Sequence, residues 1–345
     1  MDTVGILLRG GAEGRDVESV AEQFDRVEVP AAMAYSLGLD PDQDTAAPPD
    51  AVPDGRVVVL AGPGVVGTRS VDGLRAFAAA ANVPVANTWG AKGVLPWDSA
   101  HHMGTCGLQA RDFELLEFAS YDAIIATGTD LAESPEERFA LAPIVDIPPT
   151  ALGRLADQAT PAGDPIPSNE LYARLSAVAQ PGYADDRVPL HPARAVADVR
   201  AATPSGGVVV ADPGVAGLWV ARTFPTTEPG SVVVPAIAAP GIAAALGLVA
   251  ALRGLPVIAV TSEPLDQTTL GVLELATELG TTLTIDVWAA GGPVRRAEEH
   301  LEQLRTAVSD PGVTIVDVPV DTSLTRKLVD AAGPVVAWSA LPGGS

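Results

Sequence analysis

The first residues in this sequence able to do chemistry are glycines. Gly62, Gly64 and Gly67 stand in the run Gly-Pro-Gly-Val-Val-Gly, after an apolar stretch at 57–60 and before a helical pattern at 70–81. A strand, a glycine turn and a helix in that order can hold a pyrophosphate, because the turn lets backbone approach and the helix start presents amides. Dinucleotide binding also asks for an acid about 20 residues further on to take the ribose. Asn82, Asn87 and Thr88 occupy that region instead. The glycines are therefore expected to form a tight turn. A nucleotide held by backbone amides alone is the ligand reading left open.

Histidine and cysteine offer less. His101 and His102 are neighbours, so on a regular strand they would face opposite ways and could not easily share a metal. They are expected on a loop surface beyond the segment Thr88-Trp89-Gly90-Ala91-Lys92-Gly93. His191 and His300 lie in unrelated contexts, and no histidine metal site is expected. Cys106 is the only cysteine, which excludes an internal disulfide and a thiolate zinc site and fits a reducing cytoplasm. No Gly-x-Ser-x-Gly elbow of a serine hydrolase occurs.

The elements that must position these residues follow an alternating rhythm. From Arg56, strands are predicted at 57–60, 83–86, 121–127 and 144–147, with a helix at 70–81. A Pro-rich stretch at 157–189, holding a helix near 170–178, separates this run from a second. There a helix at 192–202 leads into strands at 207–211, 232–234, 257–260, 283–287 and 314–318, with helices at 242–253, 268–279 and 294–308. No charge separates Glu228 from Arg253, yet Pro235, Pro240 and Gly241 interrupt the run, so buried core is expected there and not a membrane span. The reading is α/β: two doubly wound parallel-sheet domains with a short N-terminal extension. Its boundaries are an N-terminal remnant and acidic linker at 1–54, a central Rossmann-like domain at 55–155, a connector at 156–190 and a second domain at 191–345.

Net charge is −22, which repels phosphate backbones and anionic lipid and excludes nucleic acid and membrane surfaces as expected partners. The N-terminus has no basic flank and only a short apolar run at 5–8, so no signal peptide is expected.

Several segments, in order, resemble one family. Val58-Val59-Leu60-Ala61-Gly62-Pro63-Gly64, Pro84-Val85-Ala86-Asn87-Thr88-Trp89-Gly90 and His102-Met103-Gly104-Thr105-Cys106-Gly107 are similar to the central domain of thiamine diphosphate enzymes of the acetolactate synthase and pyruvate decarboxylase type. Residues 208–214, Pro240-Gly241-Ile242-Ala243-Ala244 and Glu274-Leu275-Ala276-Thr277 resemble that family's C-terminal, diphosphate-binding domain. The likeness extends from about 56 to 292. It implies a diphosphate-binding fold for the second domain at 191–345, with a diphosphate crevice lined by Asp212, Gly214, Thr261, Ser262, Glu263 and Gly291.

Two parts of the family pattern are replaced. In the family an Asp in a Gly-Asp-Gly turn and an Asn after the next strand hold Mg²⁺ on the diphosphate. Ser262 stands at the first position and Ala289-Ala290 at the second. Mg²⁺ demands oxygen ligands in near-octahedral array, and neither side chain supplies the carboxylate or amide oxygen. Glu263 and Asp266 add negative charge beside the same turn, and a metal site rebuilt on them is the one conceivable rescue. The family's pyrimidine-binding domain, which supplies an activating glutamate, is expected to be missing, because residues 1–54 are too few for another α/β domain.

The resemblance thus implies a degenerate thiamine diphosphate enzyme homologue, non-catalytic on its own, acting as a binding, regulatory or subunit protein. No catalytic residue, metal or cofactor is assigned. The alternative is one subunit of a split acetolactate synthase-like lyase or synthase acting on 2-oxo acids, with thiamine diphosphate and Mg²⁺ bound. A homodimer or a partner subunit is expected in either case.

Overall fold

The computed structural model describes residues 2–44, 52–161, 169–288 and 291–338. The described residues fall into two compact units. Among the described residues, one lies within 34–178, 225–230 and 327–338, and the other within 2–33, 179–224 and 231–326.

The first unit holds strands β1 (Val57–Ala61), β2 (Val85–Thr88), β3 (His102–Cys106), β4 (Ala123–Thr127) and β5 (Ile144–Asp146), ordered β3-β2-β1-β4-β5 and all parallel. Every residue of β1 and β4 is buried, as in a sheet covered on both faces, where strands read as unbroken apolar runs. The helix Val71–Ala81 packs on the Leu152–Ala156 helix, where Gly73 and Gly153 let the backbones approach. The chain's last described residues also belong here. The Gln109 amide donates to the carbonyls of Leu328 and Gly333 at 2.8 and 2.7 Å, and Val336 N–H donates to the Leu108 carbonyl.

The second unit holds β6 (Val208–Ala211), β7 (Val232–Val233), β8 (Val257–Thr261), β9 (Leu283–Val287) and β10 (Val313–Asp317), parallel in the order β10-β9-β8-β6-β7. The uncharged run becomes β7 and the helix Ile242–Leu252, which is buried nearly all round. Gly247 of that helix faces Leu283 and Ala259, and its other side receives the N-terminal helix Val4–Gly11. Thr3 caps that first helix by accepting the Ile6 N–H at 3.3 Å. No described helix is long and apolar enough to cross a membrane.

Titratable groups are also buried in this second core. His300, on the helix Ala297–Ser309, lies between Asp198 on the helix Pro192–Ala202 and Asp286 on β9, at 3.1 and 3.2 Å. Arg194 donates to Asp198 at 2.9 Å and the Trp288 indole to Asp286 at 3.0 Å. Burial pulls the imidazole toward its neutral form, but the Asp286 charge and the bonds to both carboxylates outweigh it and raise its pKa to about 9.

Three local expectations change. The pair His101-His102 is not a surface loop: His102 opens β3, an element hidden by its lack of apolar alternation. The helix predicted near 170–178 runs on to Tyr183 with Pro181 inside its last turn, where the ring removes one backbone bond without ending the helix. Residues 4–36, for which no element is predicted, form the helices Val4–Gly11, Arg15–Ala21 and Ala31–Ser36.

Candidate functional site

In an open parallel sheet, ligands lie beyond the carboxyl ends of the strands where the strand order reverses. In the second unit that point falls between β6 and β8. Asp212 follows β6, Thr261 ends β8, Ser262 and Glu263 follow it, and Trp288 follows β9. Asp212, Thr261, Ser262 and Glu263 are brought together there, joined by Asp266. Gly214 opens the next helix at φ +123°, backbone that only glycine adopts freely. Gly291 faces open space, and Ala289-Ala290 lie outside the described residues.

Helix starts at this edge expose N–H groups and positive dipole ends, the usual receptors for a phosphate. Here the chain's own side chains occupy three of them. Ser262 Oγ accepts the Ala216 N–H at 3.2 Å in the first turn of the helix Val215–Thr223. Asp212 Oδ1 accepts the Ala243 N–H at 2.9 Å at the start of Ile242–Leu252. Asp266 caps the helix Gln267–Glu278 by accepting the Thr269 N–H at 2.7 Å. Thr261 ties the turn together, its Oγ1 accepting the Glu263 N–H at 3.2 Å.

Electrostatics at this edge oppose a second anion. Burial raises the pKa of Asp212, and the charges of Asp266 and Glu263 push it further up against the bonds from Thr261 and Ala243. A like-charged diphosphate would meet the same repulsion, about 4 kcal/mol for each unit-charge pair 4 Å apart at an effective dielectric of 20. Among the described residues no three His, Cys, Asp or Glu side chains form a group that could hold a metal ion. The residues present do not fit a magnesium-bridged thiamine diphosphate.

The glycine turn of the first unit also lies where a strand order reverses, between β1 and β4. Gly62 N–H donates to the Thr127 carbonyl and Gly64 N–H to the Gly128 carbonyl, at 2.9 and 2.8 Å. A Cβ on Gly62 would collide with the Gly128 carbonyl, and one on Gly64 would come within 2.8 Å of the Gly128 Cα. These two glycines therefore let one strand-end loop press on the next, with their amides already bonded. The Gly67 N–H is likewise taken, by the Pro63 carbonyl.

Two titratable groups in this unit escape a reading of the sequence. Glu133, 4% exposed, accepts the Gly90 N–H at 3.2 Å, and its carboxylate fills the space that a Cβ on Gly90 would need. Burial, helped by the Asp130 charge, raises its pKa to about 8. His102 Nε2 lies 2.9 Å from Asn87 Oδ1, and burial together with the Lys92 charge lowers its pKa to about 4. Glycine at 90 was the only sequence signal for the first group; the second is set by burial and by Asn87, Lys92 and the Trp97 carbonyl, a few turns of chain upstream.

Residues 54–163 match the family described as "Thiamine pyrophosphate enzyme, central domain". No curated protein matches the chain by sequence. Among solved structures, the chain is similar to a Mycobacterium smegmatis enzyme provisionally assigned as thiamin diphosphate-dependent, at 17% identity and TM-score 0.60. It is also similar to the thiamine diphosphate-dependent 4-hydroxybenzoylformate decarboxylase of Rhodococcus jostii RHA1, at 16% identity and TM-score 0.59. Each match covers 77% of this chain and 61% of the other, so the chain spans less than two thirds of either relative. At these identities the structural likeness speaks to fold alone. Residues 54–163 therefore form a thiamine pyrophosphate enzyme central domain.

Proposed function

We propose that this protein is a degenerate homologue of thiamine diphosphate enzymes that does not bind thiamine diphosphate on its own and acts as a binding, regulatory or subunit protein. One observation carries the reading: three helix starts at the strand-end crevice are closed by Ser262, Asp212 and Asp266. An incoming diphosphate would have to displace those bonds and face three carboxylates with no magnesium ligand at Ser262. Ser262, Asp212 and Asp266 therefore serve the fold, holding helix ends in place of a phosphate.

Isothermal titration of the pure protein with thiamine diphosphate and Mg²⁺ tests this, with no heat of binding expected at micromolar concentrations. Saturable micromolar binding would overturn it. The same titration repeated with a separate pyrimidine-binding subunit from the native host addresses the split-enzyme alternative. Decarboxylation of a 2-oxo acid by that mixture would make the chain a catalytic subunit. Association as a homodimer or with a partner subunit belongs to the same proposal, and a monodisperse 35.1 kDa species in light scattering would oppose it.

A further inference from the structure

The two edges of the second unit's sheet differ. At one, β7 is buried through Val232 and Val233. At the other, Ile315 in the middle of β10 is 47% exposed, and β10 pairs only with β9 among the described strands. Leu283 N–H donates to the Gly312 carbonyl and Val318 N–H to the Val287 carbonyl. In a parallel ladder alternate residues face the neighbour, so the N–H and C=O groups of Val313, Ile315 and Asp317 point away from β9. Exposed edges are usually blunted by lysine, proline or a bulge. β10 reads Val-Thr-Ile-Val-Asp and pairs with β9 in unbroken register.

A groove of about 360 Å³ runs between this edge and the helix Ala297–Ser309. Ile315 and Thr314 line one side; Glu299, Glu302, Gln303 and Asp310 line the other. Its ionisable lining is entirely acidic. Glu299 is held by Arg296 at 2.9 Å, whereas Glu302 and Asp310 stand exposed.

We propose that β10 accepts an added strand from a partner whose segment is extended and alternates Lys or Arg with apolar residues. The backbone of that segment would pair with Val313, Ile315 and Asp317. Its basic side chains would meet Glu302 and Asp310 while its apolar ones cover Ile315, the division of labour seen when a peptide joins a sheet edge. Charge selects this occupant over a second copy of the chain. Two copies joined edge to edge would bring Glu302 and Asp310 against acidic groups on a body already at −22. The inference is independent of what the strand-end crevice binds.

The test uses the full chain and a fluorescent eight-residue peptide of alternating Lys and Val, read by anisotropy at low salt. A dissociation constant on the order of 100 µM or tighter is expected, with an alternating Glu-Val peptide at least about tenfold weaker. The double change Glu302→Lys and Asp310→Lys should reverse that order, and Ile315→Lys, at an exposed position, should weaken binding about tenfold. Amide exchange should slow at Val313, Ile315 and Asp317 when the Lys-Val peptide is bound. Equal binding of both peptides, or no slowing at those amides, overturns the proposal. So does a homodimer in sedimentation that Ile315→Lys dissociates, because the edge would then belong to a second copy.

Discussion

Raising the pH should loosen the second unit through a single buried histidine. His300 carries a pKa raised to about 9 between Asp198 and Asp286, against an ordinary value of 6.5. A raised folded-state pKa means that the folded chain binds the proton more tightly than the unfolded chain. Its stabilising contribution is complete below about pH 6.5 and is lost as pH climbs through about 9. At about 1.4 kcal/mol per pH unit, the full loss is about 3 kcal/mol. Urea unfolding at half-unit steps from pH 6 to 9.5 should show the midpoint falling, most steeply between 7 and 9. Glu133 tilts the profile the same way, so the series belongs in a Glu133→Gln background. Asp286→Asn removes one of the two anions and should flatten the slope. NMR of the imidazole gives an independent reading, with His300 still protonated at pH 7.5. A flat midpoint in that background, an unchanged slope in Asp286→Asn, or an imidazole titrating near 6.5 would refute the reasoning.

Other consequences can be measured separately. Glu133, raised to about 8, opposes folding increasingly from pH 4.5 to 8, so Glu133→Gln should leave stability unchanged near pH 5 and raise it by upwards of about 1 kcal/mol at pH 9 in urea titrations. Gly62→Ala should lower the thermal midpoint by the equivalent of about 3 kcal/mol, because the new methyl meets the Gly128 carbonyl. Ser262→Ala should cost about 1 kcal/mol by leaving the Ala216 N–H without its acceptor, a loss read by calorimetry in protein free of any cofactor. Asp266→Ala should cost about the same at the start of the helix Gln267–Glu278.

The alternation of strand and helix was legible in the sequence because fully covered parallel strands leave runs such as Val57–Ala61 and Val257–Thr261 with no polar residue until the strand ends. Edges were less legible. The strand at His102–Cys106 carries no apolar period, and the partners of His102, Asn87 and the Trp97 carbonyl, are polar groups that leave no hydrophobic pattern to read. Ser262, Asp212 and Asp266 could be placed in one crevice from a resemblance. Their hydrogen bonds to three separate helices could not, since Ala216 and Ala243 differ in no visible way from other alanines. Glu133 sits in an ordinary acidic segment, and its neutral carboxyl depends on an absent side chain at Gly90. His300 looked isolated because Asp198 and Asp286 are brought to it by a helix and a strand far apart in the chain.

The self-closed helix ends have a consequence outside binding. Where a coenzyme completes a helix terminus, the unloaded protein is an unfinished structure that frays and is cleared by proteases. Here Ser262, Asp212 and Asp266 complete those ends from within the chain, so under the function proposed above its lifetime in a vitamin-starved cell should match that in a replete one.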